Sequence, residues 1–331
     1  MVNAAEIWIW DKLVGAVLWN ESEQLGSFEF NQNFLSSGLD ISPVKMPLEQ
    51  GARVYGFPEL RKSRGDAFDT FKGLPGLLAD MLPDKYGNQL INAWLAKNGR
   101  PADSLNPVEQ LCFIGKRGVE IRPSFREEAI KPSTLEIDSL VNIAGKIFNA
   151  REGFQSNLSV DEQSALSDIL KIGTSAGGAR AKAVIAFNPK TGEVKSGQVK
   201  APKGFSYWII KFDGVHDSQF GVTVGYGRVE MAYYLMALEA GIDMNECRIL
   251  EENGRAHFMT KRFDRSDDGQ KIHMQSLCGL RHFDFNQVGY YSYEQIFETM
   301  RMLRLSYPEA EQMFVRMVFN VLARNCDDHT K

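Results

Sequence analysis

The chain has few cysteines, and they are scattered. Cys112, Cys247, Cys278 and Cys326 are its only four, and no two fall at the short spacing of a metal-ligand pair. That argues against a disulfide framework and against a zinc site, and the four read as free thiols in a reducing compartment. Charge of one sign is lacking as well. Against 38 basic residues stand 42 acidic ones, a formal net charge of −4, which gives no case for a nucleic-acid surface over the whole chain. Long apolar runs are missing too: no stretch approaches the ~18 consecutive apolar residues of a membrane helix. The opening residues, MVNAAEIWIWDKLVG, carry charges where a signal peptide would have an uninterrupted apolar stretch. A cytoplasmic protein with no membrane association is expected. No internal repeat or low-complexity tract stands out.

What is present is ordinary globular composition, 44% apolar and 24% charged, over 331 residues, enough for two or three domains. Residues 1 to about 60 read as β-rich. Ile7-Trp8-Ile9-Trp10, then Asp11-Lys12, then Leu13 to Trp19, has the pattern of a hairpin, and Phe28-Glu29-Phe30 of a further strand. From Leu74 the pattern turns helical, with Pro75 and Pro83 where helices begin and Gly99 as a cap. Residues 126–159 carry few signals and read as a bridge between domains. Ser159 and Glu162 form a capping box ahead of an apolar face of Ala165, Leu166, Ile169 and Leu170, which Gly173 ends.

Strand patterns follow at Lys182 to Phe187 and Tyr207 to Phe212, a helix from about Arg228 to Ala240, and strands around Arg248–Leu250 and His257–Met259. After Phe263 the chain is mainly helical. Its last helix starts at Pro308 with Glu309 and Glu311 in the first turn. Met313, Phe314, Met317, Val318, Val321 and Leu322 then form a stripe wide enough to be buried. The order of elements fits an α+β, two-lobed catalytic domain with its site in the cleft. The expected divisions are 1–125, 126–262 and 263–331.

Four constellations bear on chemistry. Gly173 to Lys182 contains consecutive glycines that let backbone N–H groups approach a phosphate; a plain tight turn explains them equally, and Ser175 is ordinary turn chemistry. Lys211 ends a hydrophobic strand, where an ammonium is costly unless it meets an anion. A nucleotide kinase uses such a lysine to hold α- and β-phosphates with an acidic partner, and Glu230 on the next helix is that partner, unless both are solvated side chains at an edge. Thr260 to Arg265 lies where strands give way to helices. It is either a hinge against an adenine edge, with Phe263 beside the ring, or a charged connector with one buried Phe. Finally, Asn325-Cys326-Asp327-Asp328-His329-Thr330-Lys331 follows an apolar helix, where a phosphotransferase places the carboxylate that accepts a hydroxyl proton; a polar loop is the alternative.

Together these residues resemble the HipA family, the serine/threonine kinase toxins of bacterial HipA–HipB modules. Phe71 to Asp84 is similar to the family's N-terminal signature, Ile114 to Gly118 to its next landmark, Thr174 to Lys182 to its phosphate loop, and Asn325 to Lys331 to its catalytic loop. The resemblance implies a HipA-like fold, with an N-terminal β-rich subdomain, a β-rich ATP-binding lobe and the start of an all-helical lobe. It implies ATP and Mg²⁺ as cofactors. Gly177, Gly178, Ala179, Arg180, Ala181, Lys182 and Lys211 would hold the phosphates, with Lys261, Arg262 and Phe263 at the adenine. His329, Thr330 and Lys331 would lie beside the nucleotide, with Asp327 as catalytic base and Ser175 as the autophosphorylated serine. Partners would be a HipB-like helix-turn-helix antitoxin, DNA only through it, and a protein substrate such as an aminoacyl-tRNA synthetase. In the family the Mg²⁺-binding Asn and a later metal Asp follow the position of Lys331, so no metal ligand is expected within this chain. A protein ending there is expected to be inactive and to leave the apolar face of residues 313–322 uncovered. A non-catalytic module that engages the antitoxin, and a kinase of small molecules, are the competing readings.

Overall fold

The computed structural model describes residues 2–61, 69–112, 119–123, 135–149, 160–173, 180–217, 221–222, 224–266 and 268–331. Its first sheet comprises β1 (Ala4–Ile9), β2 (Lys12–Asn20), β3 (Leu25–Phe30), β4 (Val54–Tyr55) and β5 (Val119–Pro123), in the order β4-β3-β2-β1-β5. The expected hairpin is present. Its turn residues Trp10 and Asp11 take φ of 46° and 59°, the left-handed pair whose twist matches that of the strands. Alternate residues Ile7, Ile9, Val17, Phe28 and Phe30 point into one core, closed by α1 (Gln32–Leu35), α2 (Gly76–Ala79) and α4 (Pro107–Cys112).

The second sheet comprises β6 (Lys182–Phe187), β7 (Val194–Ser196), β8 (Ser206–Lys211), β11 (Cys247–Glu252) and β12 (Arg255–Lys261), antiparallel in the order β11-β12-β8-β6-β7. A small ribbon of β9 (His216–Asp217) and β10 (Gly221–Val222) stands apart. Every residue of β6 is buried, the apolar run Ala183–Phe187 and the Lys182 that precedes it alike. One face of this sheet is covered by α5 (Ile137–Asn149) and α6 (Val160–Gly173). Helix α3 (Lys85–Lys97) joins them: its Tyr86, Leu90 and Ala93 lie in the same core as Ile185, Trp208 and Ile210. Helix α7 (Tyr226–Glu239) lies on β11 and β12.

The C-terminal part holds α8 (Leu277–Arg281), α9 (Tyr293–Met302) and α10 (Tyr307–Leu322). Helix α8 is fastened to the first core rather than to the second. Cys278 is one of that core's buried residues, and Asp80 accepts from Ser276 N at 2.7 Å and Ser276 Oγ at 2.5 Å. His282, at the end of α8, inserts between Phe57 and Phe71, with ring centroids 4.6 and 5.7 Å away, and its Nε2 accepts from Gly76 N at 3.1 Å. Burial pulls the imidazole down to about 4, so it is the neutral form that accepts. Gly76 has no room for a side chain, because a Cβ would lie 2.1 Å from Gly279 O. Both cores therefore reach across the divisions expected from the sequence, α3 in one direction and α8 in the other.

The caps of α10 form as its sequence indicates, with Ser306 and Glu309 in a reciprocal capping box and Pro308 in the first turn. Its stripe does not become buried. No residue of α10 falls in the buried class, and Phe314, Val321 and Leu322 are 53%, 70% and 78% exposed. Its hydrogen bonds toward α7 and the turn after it are polar contacts that do not cover the stripe. Tyr233 OH donates to Ala323 O at 2.9 Å, Gln312 Nε2 to Gly241 O at 3.1 Å, and Asp243 N to Gln312 Oε1 at 2.9 Å. Among the described residues, no helix is long and apolar enough to cross a membrane.

Candidate active site

Lys211 is the last residue of β8, paired with Phe258 on β12 and with Lys182 on β6. Its Nζ donates to Glu230 Oε2 at 2.5 Å, and Arg180 Nη1 lies 3.4 Å from the other oxygen of the same carboxylate. These side chains are partly accessible, at 36% for Lys211, 23% for Glu230 and 28% for Arg180, so the pair opens to solvent instead of closing off a core. The guanidinium of Arg180 also lies over the Tyr226 ring, 4.0 Å from its centroid. Two cations thus share one partly accessible carboxylate, an arrangement that an anionic ligand can join.

Glu230 is placed by backbone contacts. Helix α7 approaches β12 closely at Gly227, where a Cβ would stand 1.9 Å from Ala256 O. Just beyond Lys211, the buried Asp213 ties the surrounding segments together. Its Oδ1 accepts from Gly225 N at 2.9 Å, at the cap of α7, and its Oδ2 from Ala256 N at 3.1 Å, on β12. Its own N–H donates to His257 Nδ1 at 2.9 Å, and burial keeps that imidazole below its usual range.

Ala181 and Lys182 are both buried, at 3% exposure each. Ala181 O accepts from Phe212 N at 3.0 Å, and Lys182 Nζ lies 3.6 Å from Asp84 Oδ2, at the start of α3. Ser175, Gly177, Gly178 and Ala179 lie outside the described residues, as does the Ile114–Gly118 landmark.

At the crossover, Lys261 N donates to Glu246 O at 2.8 Å and Arg262 N to Tyr207 O at 2.8 Å, so both amides serve the fold. The Arg262 side chain turns inward. Its Nε donates to Asp264 Oδ1 at 2.7 Å and its Nη2 to Oδ2, while Arg265 Nη1 donates to Oδ2 at 2.9 Å. Phe263 stands 64% exposed, which removes the connector with a buried Phe and leaves the ring at the surface beside the crossover.

The Asp327 loop is fastened at both ends. Asn325 N donates to Asn320 O at 2.9 Å, Asp327 N to Asn325 Oδ1 at 3.1 Å, and Cys278 N to Thr330 O at 2.8 Å. Thr330 Oγ1 donates to Phe283 O at 2.9 Å, and Lys331 N to His329 Nδ1 at 3.1 Å. The Lys331 ammonium lies 5.2 Å from the Phe285 ring centroid. The two aspartates differ sharply. Asp328 is held by Tyr293 OH at 2.6 Å, whereas Asp327 is 97% exposed, with His329 Nε2 3.8 Å from its Oδ1. Asp327 is thus the more open of the two to an incoming group. Through Tyr233 and Ala323 the base of this loop abuts α7, one turn beyond Glu230.

Two family models match the chain, the HipA N-terminal domain over residues 5–119 and the HipA-like C-terminal domain over residues 174–331. The chain belongs to the HipA family. Among solved structures it is similar to HipA in a complex of the Shewanella oneidensis MR-1 toxin–antitoxin system with HipB and operator DNA. That match has a TM-score of 0.65 and 15% identity, and covers 99% of this chain and 71% of that one. A likeness at this identity speaks to the fold, and confirms the α+β HipA architecture. No curated protein matches the chain by sequence.

With the HipA frame in place, the site residues divide cleanly. Arg180, Lys211 and Glu230 come together, Lys182 lies behind them against Asp84, and Asp327, His329, Thr330 and Lys331 sit on a separate anchored loop. Asp84 and Asp213 support the site without belonging to any of the four constellations. Asp84 stands in the Leu82-Pro83-Asp84 segment that opens a helix, and Asp213 directly follows the strand lysine; a carboxylate at either place was the available signal. The cationic cluster fits a phosphate chain. No group of three or more His, Cys, Asp or Glu is placed to hold a metal ion among the described residues.

Proposed function

We propose that this chain is the toxin of a HipA-type module and an ATP-dependent protein serine/threonine kinase. The observation that carries the reading is the Lys211–Glu230 pair at 2.5 Å with Arg180 on the same carboxylate. A strand lysine steadied by a helix glutamate is how kinase folds direct a fixed cation at α- and β-phosphates. In this reading Lys211 and Arg180 hold the phosphate chain, with Lys182 and the glycines of 177–178 around it, and Phe263 flanks the adenine. The exposed Asp327 carboxylate takes the proton of the attacking serine or threonine hydroxyl as the terminal phosphorus–oxygen bond of ATP breaks. Mg²⁺, when bound, supplies charge neutralisation; the described residues do not form its site.

The proposed partner is a HipB-like helix-turn-helix antitoxin, supported by the relative's complex with HipB and operator DNA. The proposed substrates are Ser175 of the chain itself and a translation component such as an aminoacyl-tRNA synthetase. The test is intact mass before and after incubation with Mg²⁺-ATP. A gain of one phosphate that Asp327→Asn abolishes supports the kinase, and loss of that gain in Ser175→Ala assigns the acceptor. No gain with either the chain or added synthetase, alongside tight binding of a HipB-like protein, would replace the kinase by a non-catalytic binding module.

A further inference from the structure

We propose that Asp84, from the N-terminal half of the chain, is a positioning residue for the phosphate site, keeping Lys182 charged and so tying phosphate affinity to the docking of the N-terminal domain. The proposal rests on the reading of Lys211 and its neighbours as a nucleotide site.

Lys182 and Lys211 are directly opposed in the β6–β8 ladder, so their side chains leave the same face of the sheet. Two ammoniums in that relation repel, and each is offset by a carboxylate from a different element. Lys211 has Glu230 on α7, and Lys182 has Asp84 at the cap of α3. The Lys182 side chain is 4% exposed and that of Asp84 is 11%, so this second pair is far drier than the first. Asp84 is also held rigidly. Its Oδ1 accepts from Gly87 N at 2.9 Å as the helix N-cap, while its Oδ2 faces the ammonium. Helix α3 belongs to the half matched by the N-terminal family model but packs in the second core, so the carboxylate is delivered across the domain boundary.

Among the described residues, charged groups acting on Lys182 include Asp84 on α3, Lys211 on β8 and Glu230 on α7. Burial, with Lys211 adding to it, pulls its ammonium down to about 8, and Asp84 opposes that pull. Without the Asp84 charge, Lys182 sheds its proton at lower pH than in wild type, and a phosphate chain binding beside it must bring the proton back.

Asp84→Asn isolates the charge, because asparagine is as good an N-cap as aspartate and keeps the bond to Gly87. Binding of a fluorescent ATP analogue to the 331-residue chain is measured from pH 6 to 8.5, with thermal melts confirming that each variant folds. Proton uptake on binding makes the dissociation constant of the variant rise about tenfold per pH unit, starting at least about one unit below any weakening in wild type. Lys182→Met, alone or with Asp84→Asn, removes that slope. An Asp84→Asn profile parallel to wild type, or a slope that survives in the double variant, overturns the role of Asp84 and leaves the nucleotide site standing. A wild-type chain that binds no nucleotide at any pH overturns the nucleotide reading, and this proposal with it.

Discussion

Asp264→Asn should be among the most damaging conservative substitutions in this protein. The carboxylate is shared by Arg262, through Nε at 2.7 Å and Nη2, and by Arg265 through Nη1 at 2.9 Å. The three side chains are 5%, 4% and 3% exposed for Arg262, Asp264 and Arg265. Asparagine keeps the shape, removes the charge and turns one acceptor into a donor facing a guanidinium. Two buried guanidiniums then lose the carboxylate they share. Arginine does not relieve this by losing its proton at neutral pH, although burial and the neighbouring Arg262 already pull Arg265 down to about 10. Breaking a buried pair in this way costs about 3–5 kcal/mol.

The assay is urea unfolding followed by tryptophan fluorescence, since Trp208 lies buried in the adjoining strand and its neighbour Tyr207 accepts from Arg262 N. A loss under about 1 kcal/mol would mean that water reaches the triad, and would refute the argument. The pH dependence gives an independent check. Burial alone would raise the Asp264 carboxyl, but the Arg262 hydrogen bonds and charge outweigh it and hold the group below its ordinary value. A depressed carboxyl stabilises above its unfolded value of about 4 and loses that contribution as pH falls through the folded one. The gap between wild type and Asp264→Asn should therefore narrow in strong acid.

Three further outcomes follow from the geometry. Lys211→Ala should weaken nucleotide binding at least about tenfold in a titration while moving the melting temperature little, because its ion pair is partly exposed. Gly227→Ala should cost about 1–3 kcal/mol in a thermal or urea melt and weaken nucleotide binding as well, since the added methyl meets the fixed Ala256 carbonyl and shifts the helix that carries Glu230. Lys182 has a folded value of about 8 against 10.5, so the unfolded chain binds more protons between these values and stability rises with pH across that window. The full gain for a shift of that size is about 3 kcal/mol, of which about 2 kcal/mol falls between pH 7.5 and 9.5, and unfolding of Lys182→Met at those two values should lack it.

Much of this was legible in the sequence, for local reasons. The strand Lys182–Phe187, apolar from Ala183 onward, forms with those bounds, and Ser306, Pro308 and Glu309 cap α10 as helix chemistry dictates. The meeting of Lys211 and Glu230 was readable because a lysine ending an apolar strand is costly without an anion, and the next helix offers one. Asp84 opposite Lys182 was not readable, since that contact depends on α3 leaving its own half of the chain to pack on the second sheet. Periodicity identifies an apolar face but not its neighbour. The stripe of α10 shows this most plainly: Phe314, Val321 and Leu322 form the predicted face and remain at the surface.

The mounting of the Asp327 loop has a mechanical consequence. Thr330 hangs from Cys278, a residue of the first core, whereas Lys211 belongs to the second sheet. The Asp327 loop thus spans both halves, tied through Thr330 to the first core and through Ala323 to Tyr233 on α7, the helix that carries the partner of Lys211. Any partner that grips the two halves and alters their angle changes the reach from Asp327 to Lys211 without touching either residue.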